Sequence, residues 1–130
     1  MFTTIHHVAL ICTDYAVSRR FYTEILGMEI IREVYREERQ SWKCDLRIGA
    51  AQLELFSFPA PAARPSYPEA TGLRHLAFAT ADIDVAVARL AENGVTCEPL
   101  RRDEHTGARF TFFNDPDGLP LELYEQSAGS

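Results

Sequence analysis

Seven residues of this chain recur, identical, at a single offset of 68 positions: His7 with His75, Ala9 with Ala77, Asp14 with Asp82, Val17 with Val85, Leu53 with Leu121, Glu54 with Glu122, and Leu55 with Leu123. An offset held over so long a stretch is the mark of a duplicated unit. Each copy opens with an apolar strand, over 5–11 and 73–79, followed by an aspartate suited to cap a helix, since its carboxylate can accept from the free amides of the first turn. The spacing then predicts a helix with Val17, Phe21 and Ile25 on one stripe in the first copy and Ile83, Val87 and Leu90 in the second. Gly27 and Gly94 stand where a left-handed cap ends each helix. Three strand-like segments follow, ending in QLELFSF and LPLELYE. The unit is therefore βαβββ, and it occurs twice.

Residues 59–71, PAPAARPSYPEAT, carry four of the seven prolines and can continue neither a helix nor a central strand. The expected organisation is a single domain over 1–130, made of module 1 (1–58), a proline-rich linker (59–71) and module 2 (72–126). The fold class is α+β, with two tandem βαβββ modules forming a metal-binding cavity. NDPDG, before the last strand, is a tight turn in which Pro116 presets φ and Gly118 accepts a positive one.

A net charge of −6 offers no field for phosphate backbones, and no cluster of Lys and Arg interleaves with aromatics, so nucleic acid is not an expected partner. No apolar run approaches the roughly 20 residues that span a bilayer, and MFTTIHH lacks the basic and apolar regions of a secretory leader. A cytoplasmic protein with a small-molecule partner is expected. Cys12, Cys44 and Cys97 are widely separated and form no CxxC pair, so free thiols are expected.

The chemistry resides in residues that the repeat duplicates. In LEL each glutamate lies between two leucines, so its side chain points away from the face those leucines bury. A carboxylate on the inner face of a small sheet is costly unless paired or bound to a metal. Two histidines and two glutamates, one of each per module, meet that requirement together as ligands His7, Glu54, His75 and Glu122. Such an N2O2 set suits one divalent ion, Ni, Co, Zn, Fe or Mn, with positions open to water or substrate. In IHHVAL the offset selects His7, leaving His6 to project toward the other face of the strand.

At these residues the chain resembles the glyoxalase I, or vicinal-oxygen-chelate, superfamily of paired βαβββ modules, through HHVAL, FYTEILGM, GLRHLAF and FFNDPDGLPLELYE. Through VYREERQSWKCDL and ELFSFP it looks most like the small YaeR-type proteins, commonly described as lactoylglutathione lyases. The ligands that the resemblance implies match His7, Glu54, His75 and Glu122. In glyoxalase I the metal holds the oxygens of a thiohemiacetal while a glutamate ligand moves a proton between neighbouring carbons through an enediolate. By resemblance Glu122 is the leading base and Glu54 its counterpart. Short members commonly exchange modules, which implies a homodimer.

Two positions depart from the glyoxalase I pattern: Ile11 stands where it has an arginine for a glutathione carboxylate, and Phe58 where it has an asparagine. Loss of such a charge-assisted contact costs about 1.5–3 kcal/mol, roughly ten- to a hundredfold in affinity. Glutathione specificity therefore does not follow from the metal site. In SWKCDLRI the charged residues alternate with apolar ones, which would bring Lys43 and Arg47 to the face that holds Glu54 as candidate substrate anchors; Arg109 is a third candidate. VYREERQ reads as a strand end and mobile loop, and His105 as a surface loop residue. The expected activity is a metal-dependent lyase or isomerase of the glyoxalase I type, acting on a small carbonyl or thiol adduct. Alternatives are a thiol transferase of the fosfomycin-resistance kind and a non-catalytic bleomycin-binding protein. A ring-cleaving dioxygenase needs two histidines and one carboxylate, and the second glutamate argues against it.

Overall fold

The computed structural model describes residues 1–65 and 69–126, so that Ser66, Tyr67 and Pro68 of the proline-rich linker lie outside the described residues. The chain divides into two compact units, Met1–Ala63 and Arg64–Ser130, and the division falls within the proline-rich stretch. Described linker residues form neither helix nor strand.

In unit 1 strand β1 (His7–Cys12) leads to helix α1 (Tyr15–Arg20), which continues as a π-helical turn over Phe21–Ile25. Strands β2 (Glu29–Arg36), β3 (Ser41–Ile48) and β4 (Ala51–Ser57) complete a four-stranded sheet in the order β1-β4-β3-β2. β1 runs parallel to β4, and the other neighbours are antiparallel. Unit 2 repeats this plan with β5 (Leu76–Thr80), α2 (Ile83–Glu92), β6 (Arg101–Arg102), β7 (Arg109–Asn114) and β8 (Pro120–Glu125), in the order β5-β8-β7-β6. Both units are thus βαβββ.

The same local chemistry starts both helices. Asp14 Oδ1 accepts from the Val17 amide and Asp82 Oδ1 from the Val85 amide, each at 3.2 Å, filling donors that the helix cannot satisfy itself. Gly27 and Gly94 follow them at φ 78° and 79°. One face of each sheet is buried beneath its helix. Leu53, Leu55, Cys44 and Leu46 meet Phe21, Tyr22 and Ile25 in the core of unit 1, while Leu121, Leu123 and Phe113 bury with Ile83 and Leu90 in unit 2. Val17 does not join the predicted stripe: it is 51% exposed, and its repeat partner Val85 is 63% exposed. Phe21 and Ile25 of the stripe are buried as expected, joined by Tyr22 in the π turn.

VYREERQ ends β2, as expected, and then forms a single 3-10 turn over Glu37–Arg39, with Gln40 in the left-handed region at φ 49°. In NDPDG the Asp115 carboxylate accepts from the amides of Asp117 and Leu119, both at 2.9 Å, and Gly118 takes φ 82°. The three cysteines are free thiols. Among the described residues no helix is long and apolar enough to cross a membrane.

On the helix-facing side of unit 1, Arg19 donates through Nε and Nη2 to Glu33 at 2.6 and 3.2 Å, and the Tyr15 hydroxyl donates to the same carboxylate. The Tyr15 ring stacks on Trp42 with centroids 5.1 Å apart. The Arg19 contact holds the Glu33 carboxyl below the usual range, aided by Tyr15. Burial pushes the Tyr15 phenol far up, and the Glu33 carboxylate adds to the shift. A depressed carboxyl contributes stability that is present above the unfolded value, about 4.3, and is lost as pH falls through the folded value. Glu33→Gln is therefore expected to cost about 1–2 kcal/mol near neutral pH and to flatten the loss of stability below about pH 4.3. Urea unfolding followed across that range checks both effects; a variant as stable as the parent at neutral pH with unchanged acid sensitivity contradicts the assignment.

Candidate metal and substrate site

Strand alternation builds the same half-site in each unit. In β4 the two leucines flanking Glu54 are 1% exposed and point into the core, so Glu54 emerges on the opposite, open face; Leu121 and Leu123 turn out Glu122 in β8 in the same way. The two glutamate side chains are each 14% exposed. Beside Glu54 lies His7 at the start of β1, and beside Glu122 lies His75, one residue before β5. His7 Nδ1 is 3.5 Å from Glu54 Oε2, and His75 Nε2 is 3.2 Å from Glu122 Oε1.

These separations are those of two donors sharing one cation. Ligands at about 2.0–2.2 Å, subtending angles between octahedral and tetrahedral values, stand roughly 3.0–3.5 Å apart. A neutral imidazole nitrogen and a carboxylate oxygen are both suited to a borderline divalent ion. Each pair therefore fits as half of a ligand set. Among the described residues no group of three or more His, Cys, Asp or Glu side chains is arranged to hold an ion.

His6 departs from the sequence expectation. It precedes β1, where strand alternation no longer sets its direction, and its ring meets that of His7 edge-on, with the two Nδ1 atoms 2.9 Å apart. It is a neighbour of the candidate ligand, not a residue of the far face.

The open face of unit 1 also carries the predicted cations. Register sets Asp45 opposite Glu54, Lys43 opposite Phe56 and Arg47 opposite Gln52, while Cys44 and Leu46 are fully buried on the other side. Lys43 Nζ is engaged by Asp45 at 2.8 Å and lies 3.7 Å from Glu54; Asp45 is itself only 3% exposed. Lys43 thus compensates carboxylates of its own face. Arg47, half exposed, reaches Glu29 at 4.0 Å and remains available on the Glu54 face.

Arg109 is placed elsewhere, which corrects its candidacy as a substrate anchor. In β7 it shares the helix-facing side with Thr111, and it donates through Nε and Nη2 to Glu125 at 3.0 and 2.9 Å, with Nη1 3.3 Å from Asp84 of α2. Hydrogen bonds from Arg109 hold the Glu125 carboxyl below its ordinary range. This guanidinium is saturated by the fold and ties α2 to the sheet. His105 is 85% exposed in the β6–β7 connection, as expected for a surface loop residue.

A cavity of about 620 Å³ lies on the open face of unit 2, within the range of small-molecule sites. His75 and Glu122 line it together with Arg101, Phe110, Phe112 and Asn114. Phe112 stands opposite Glu122 in the register and receives the His75 ring edge-on at a centroid distance of 5.0 Å. Arg101 lies over Phe110 and Phe112, its guanidinium carbon 5.0 and 5.6 Å from the ring centres. Sequence reading did not single out Arg101; it stands in a polar run, and only the pairing of β6 with β7 brings it over the phenyl rings.

Comparison with known proteins agrees with this architecture. The model of the Glyoxalase/Bleomycin resistance protein/Dioxygenase superfamily matches residues 4–123. YaeR of Escherichia coli (strain K12) is 63% identical over 94% of this chain and 95% of its own length. A 2-epi-5-epi-valiolone epimerase from an Actinomyces species is 32% identical over 97% of this chain and 81% of its length. Among solved structures, a glyoxalase family protein from Enterococcus faecalis superposes with a TM-score of 0.89 at 52% identity, covering 95% of this chain and 98% of that one.

Proposed function

Because the chain belongs to the Glyoxalase/Bleomycin resistance protein/Dioxygenase superfamily, we propose that it is a divalent-metal-dependent enzyme of the glyoxalase I type, acting on a small carbonyl or thiol adduct by moving a proton between neighbouring carbons. The observation that carries this reading is the duplicated His–Glu pair, held at ligand spacing on the open face of both sheets. His7 and Glu54 would supply two donors and His75 and Glu122 the other two. A divalent ion bound there supplies Lewis-acid polarisation of a substrate oxygen.

The chain's own residues account for the remainder. Imidazoles ligate in the neutral form through one ring nitrogen, and the carboxylates supply the negative charge that a divalent ion requires. Glu122, or its counterpart Glu54, would accept the carbon-bound proton and return it to the adjacent carbon. Phe110 and Phe112 would keep water from the reacting end of the cavity in unit 2. One relative is named as an epimerase, and removal and return of a proton is chemistry that isomerisation and epimerisation can share. Superfamily members bind small molecules and commonly form dimers, and the reading takes this chain as a cytoplasmic homodimer.

Ile11, 58% exposed, lies on the same face of β1 as His7, so the glutathione-binding arginine of the glyoxalase I pattern is replaced by an alkyl group on that face. A thiol other than glutathione, or a substrate without one, is therefore favoured. The test is elemental analysis of the purified chain after loading with Ni, Co, Zn, Fe or Mn, followed by assay of methylglyoxal with glutathione and with other thiols. One equivalent of metal per site and turnover of at least one adduct are expected. Metal well below one equivalent after every loading overturns the metal-enzyme reading, and inactivity of a loaded sample on every adduct overturns the lyase reading.

A further inference from the structure

We propose that Arg101 is the oxyanion-binding residue of the unit 2 cavity, so that the substrate of this site carries a carboxylate or phosphate group one phenyl ring away from His75. The inference rests on the reading of His75 and Glu122 as the reactive end of that cavity, and it names the class of substrate taken there.

The placement of Arg101 carries the inference: it lines the cavity with His75 and Glu122 and rests on two rings of that face, whereas Arg74 of the same lining reaches Glu69 at 3.3 Å and has no such support, and Arg47 belongs to the sheet of unit 1. Lys43 is held by Asp45 at 2.8 Å, and Arg109 is held by Glu125 and Asp84 on the helix-facing side. Neither has much capacity left for a ligand. Arg101 has a single carboxylate contact among the described residues, from Nη2 to Glu98 at 3.4 Å, in a pair of which both side chains are more than half exposed. Such a pair is weak in water and gives way to a better acceptor. A guanidinium has five N–H donors in a planar fork, so most of its donor edge is free to receive a planar carboxylate or a phosphate in bidentate fashion.

The support under Arg101 is also fixed. Its guanidinium rests on Phe110 and Phe112, and Phe110 stacks in turn on Tyr124, with centroids 6.5 Å apart and an interplanar angle of 15°. The Tyr124 hydroxyl donates to Asp103 Oδ2 at 2.9 Å and is hydrogen-bonded to Thr106. Asp103 further accepts from the His105 and Thr106 amides, and Arg102 donates to the Gly107 carbonyl. The β6–β7 connection is thereby tied down next to Arg101, so less freedom is lost when an anion binds. In a chain of net charge −6 an anion has no general attraction to the surface, and its site must be local. Because Phe112 is shared by Arg101 at 5.6 Å and His75 at 5.0 Å, a compact substrate can reach both.

Succinate and inorganic phosphate serve as probes, titrated into the isotope-labelled full chain without metal while the backbone amide resonances of Phe110 and Phe112, which parent and variants share, are followed. A saturable shift is expected with one or both; preference for succinate assigns a carboxylate substrate and preference for phosphate a phosphorylated one. Arg101→Met is expected to weaken binding by about ten- to a hundredfold and Arg101→Lys by less, whereas Arg20→Met, which removes an exposed cation of unit 1, leaves it unchanged. Absence of a saturable shift with both probes, or equal affinity in the parent and Arg101→Met, overturns the inference. Equal loss in Arg20→Met does the same, because it reduces the effect to net charge. The parent titration needs no variant to fold. It also needs no metal, so failure of anion binding and failure of metal uptake are read separately.

Discussion

Replacing His7 or His75 by alanine is expected to weaken divalent-metal binding by more than about a hundredfold, and His6→Ala by about tenfold or less. The scale follows from outer-shell partners, whose loss typically costs roughly 10–100-fold, so removal of a direct donor exceeds that range. His7 and His75 each stand within 3.5 Å of the glutamate with which they would share the ion. His6 has its close contact with the His7 ring, 2.9 Å between Nδ1 atoms, and acts at most on the orientation of that ring. Competition with a chromophoric chelator measures all three variants. Comparable losses for His6→Ala and His7→Ala would mean that the ligand in IHHVAL has been misassigned, and retention of metal by His75→Ala would remove unit 2 from the centre.

Glu122→Gln is expected to lower turnover by about 10²–10⁴-fold while the chain stays folded, because the amide keeps an oxygen donor and the side-chain shape but cannot accept the carbon-bound proton. The carboxylate is not needed by the core: Leu121 and Leu123 fill the buried face on either side, and Glu122 contacts His75 on the other. Glu54→Gln is the paired measurement. Assayed on whichever thiol adduct the metal-loaded parent turns over, with circular dichroism for folding, a large loss in Glu122→Gln and a smaller one in Glu54→Gln assigns the base to Glu122. The opposite order assigns it to Glu54, and undiminished turnover in both removes the proton-transfer role.

Legibility of the site in the sequence depended on how local the determining physics was. The LEL triplets and the capping aspartates act over a few residues and the 68-residue offset repeats them, so β4, β8 and the starts of both helices could be read directly, along with the faces of Glu54 and Glu122. His6 was misread because the strand begins two residues later than the apolar pattern does, and alternation holds only inside the strand. Val17 was misread because four-residue spacing did not distinguish the first turn: Val17 and Val85 both stand three residues after the capping aspartate and both are exposed.

The substrate-facing cations divide along the same line. Lys43 and Arg47 were assignable to the Glu54 face because they alternate within one strand. Arg109 also lies within a strand, but its face follows from the register of β7 on β8, which pairs Phe112 with Glu122 and so turns Arg109 to the helix side.

Repetition and alternation in the amino-acid order were thus enough to establish two βαβββ modules and to nominate His7, Glu54, His75 and Glu122, since duplicated spacing and the period of a strand are properties of the chain itself. Tertiary structure alone decided that Arg109 is already spent on Glu125 and Asp84, and that Arg101 lies over Phe110 and Phe112 beside His75. Those outcomes depend on strand register and on contacts between residues far apart in the chain, where one residue's shift reverses every side chain's face.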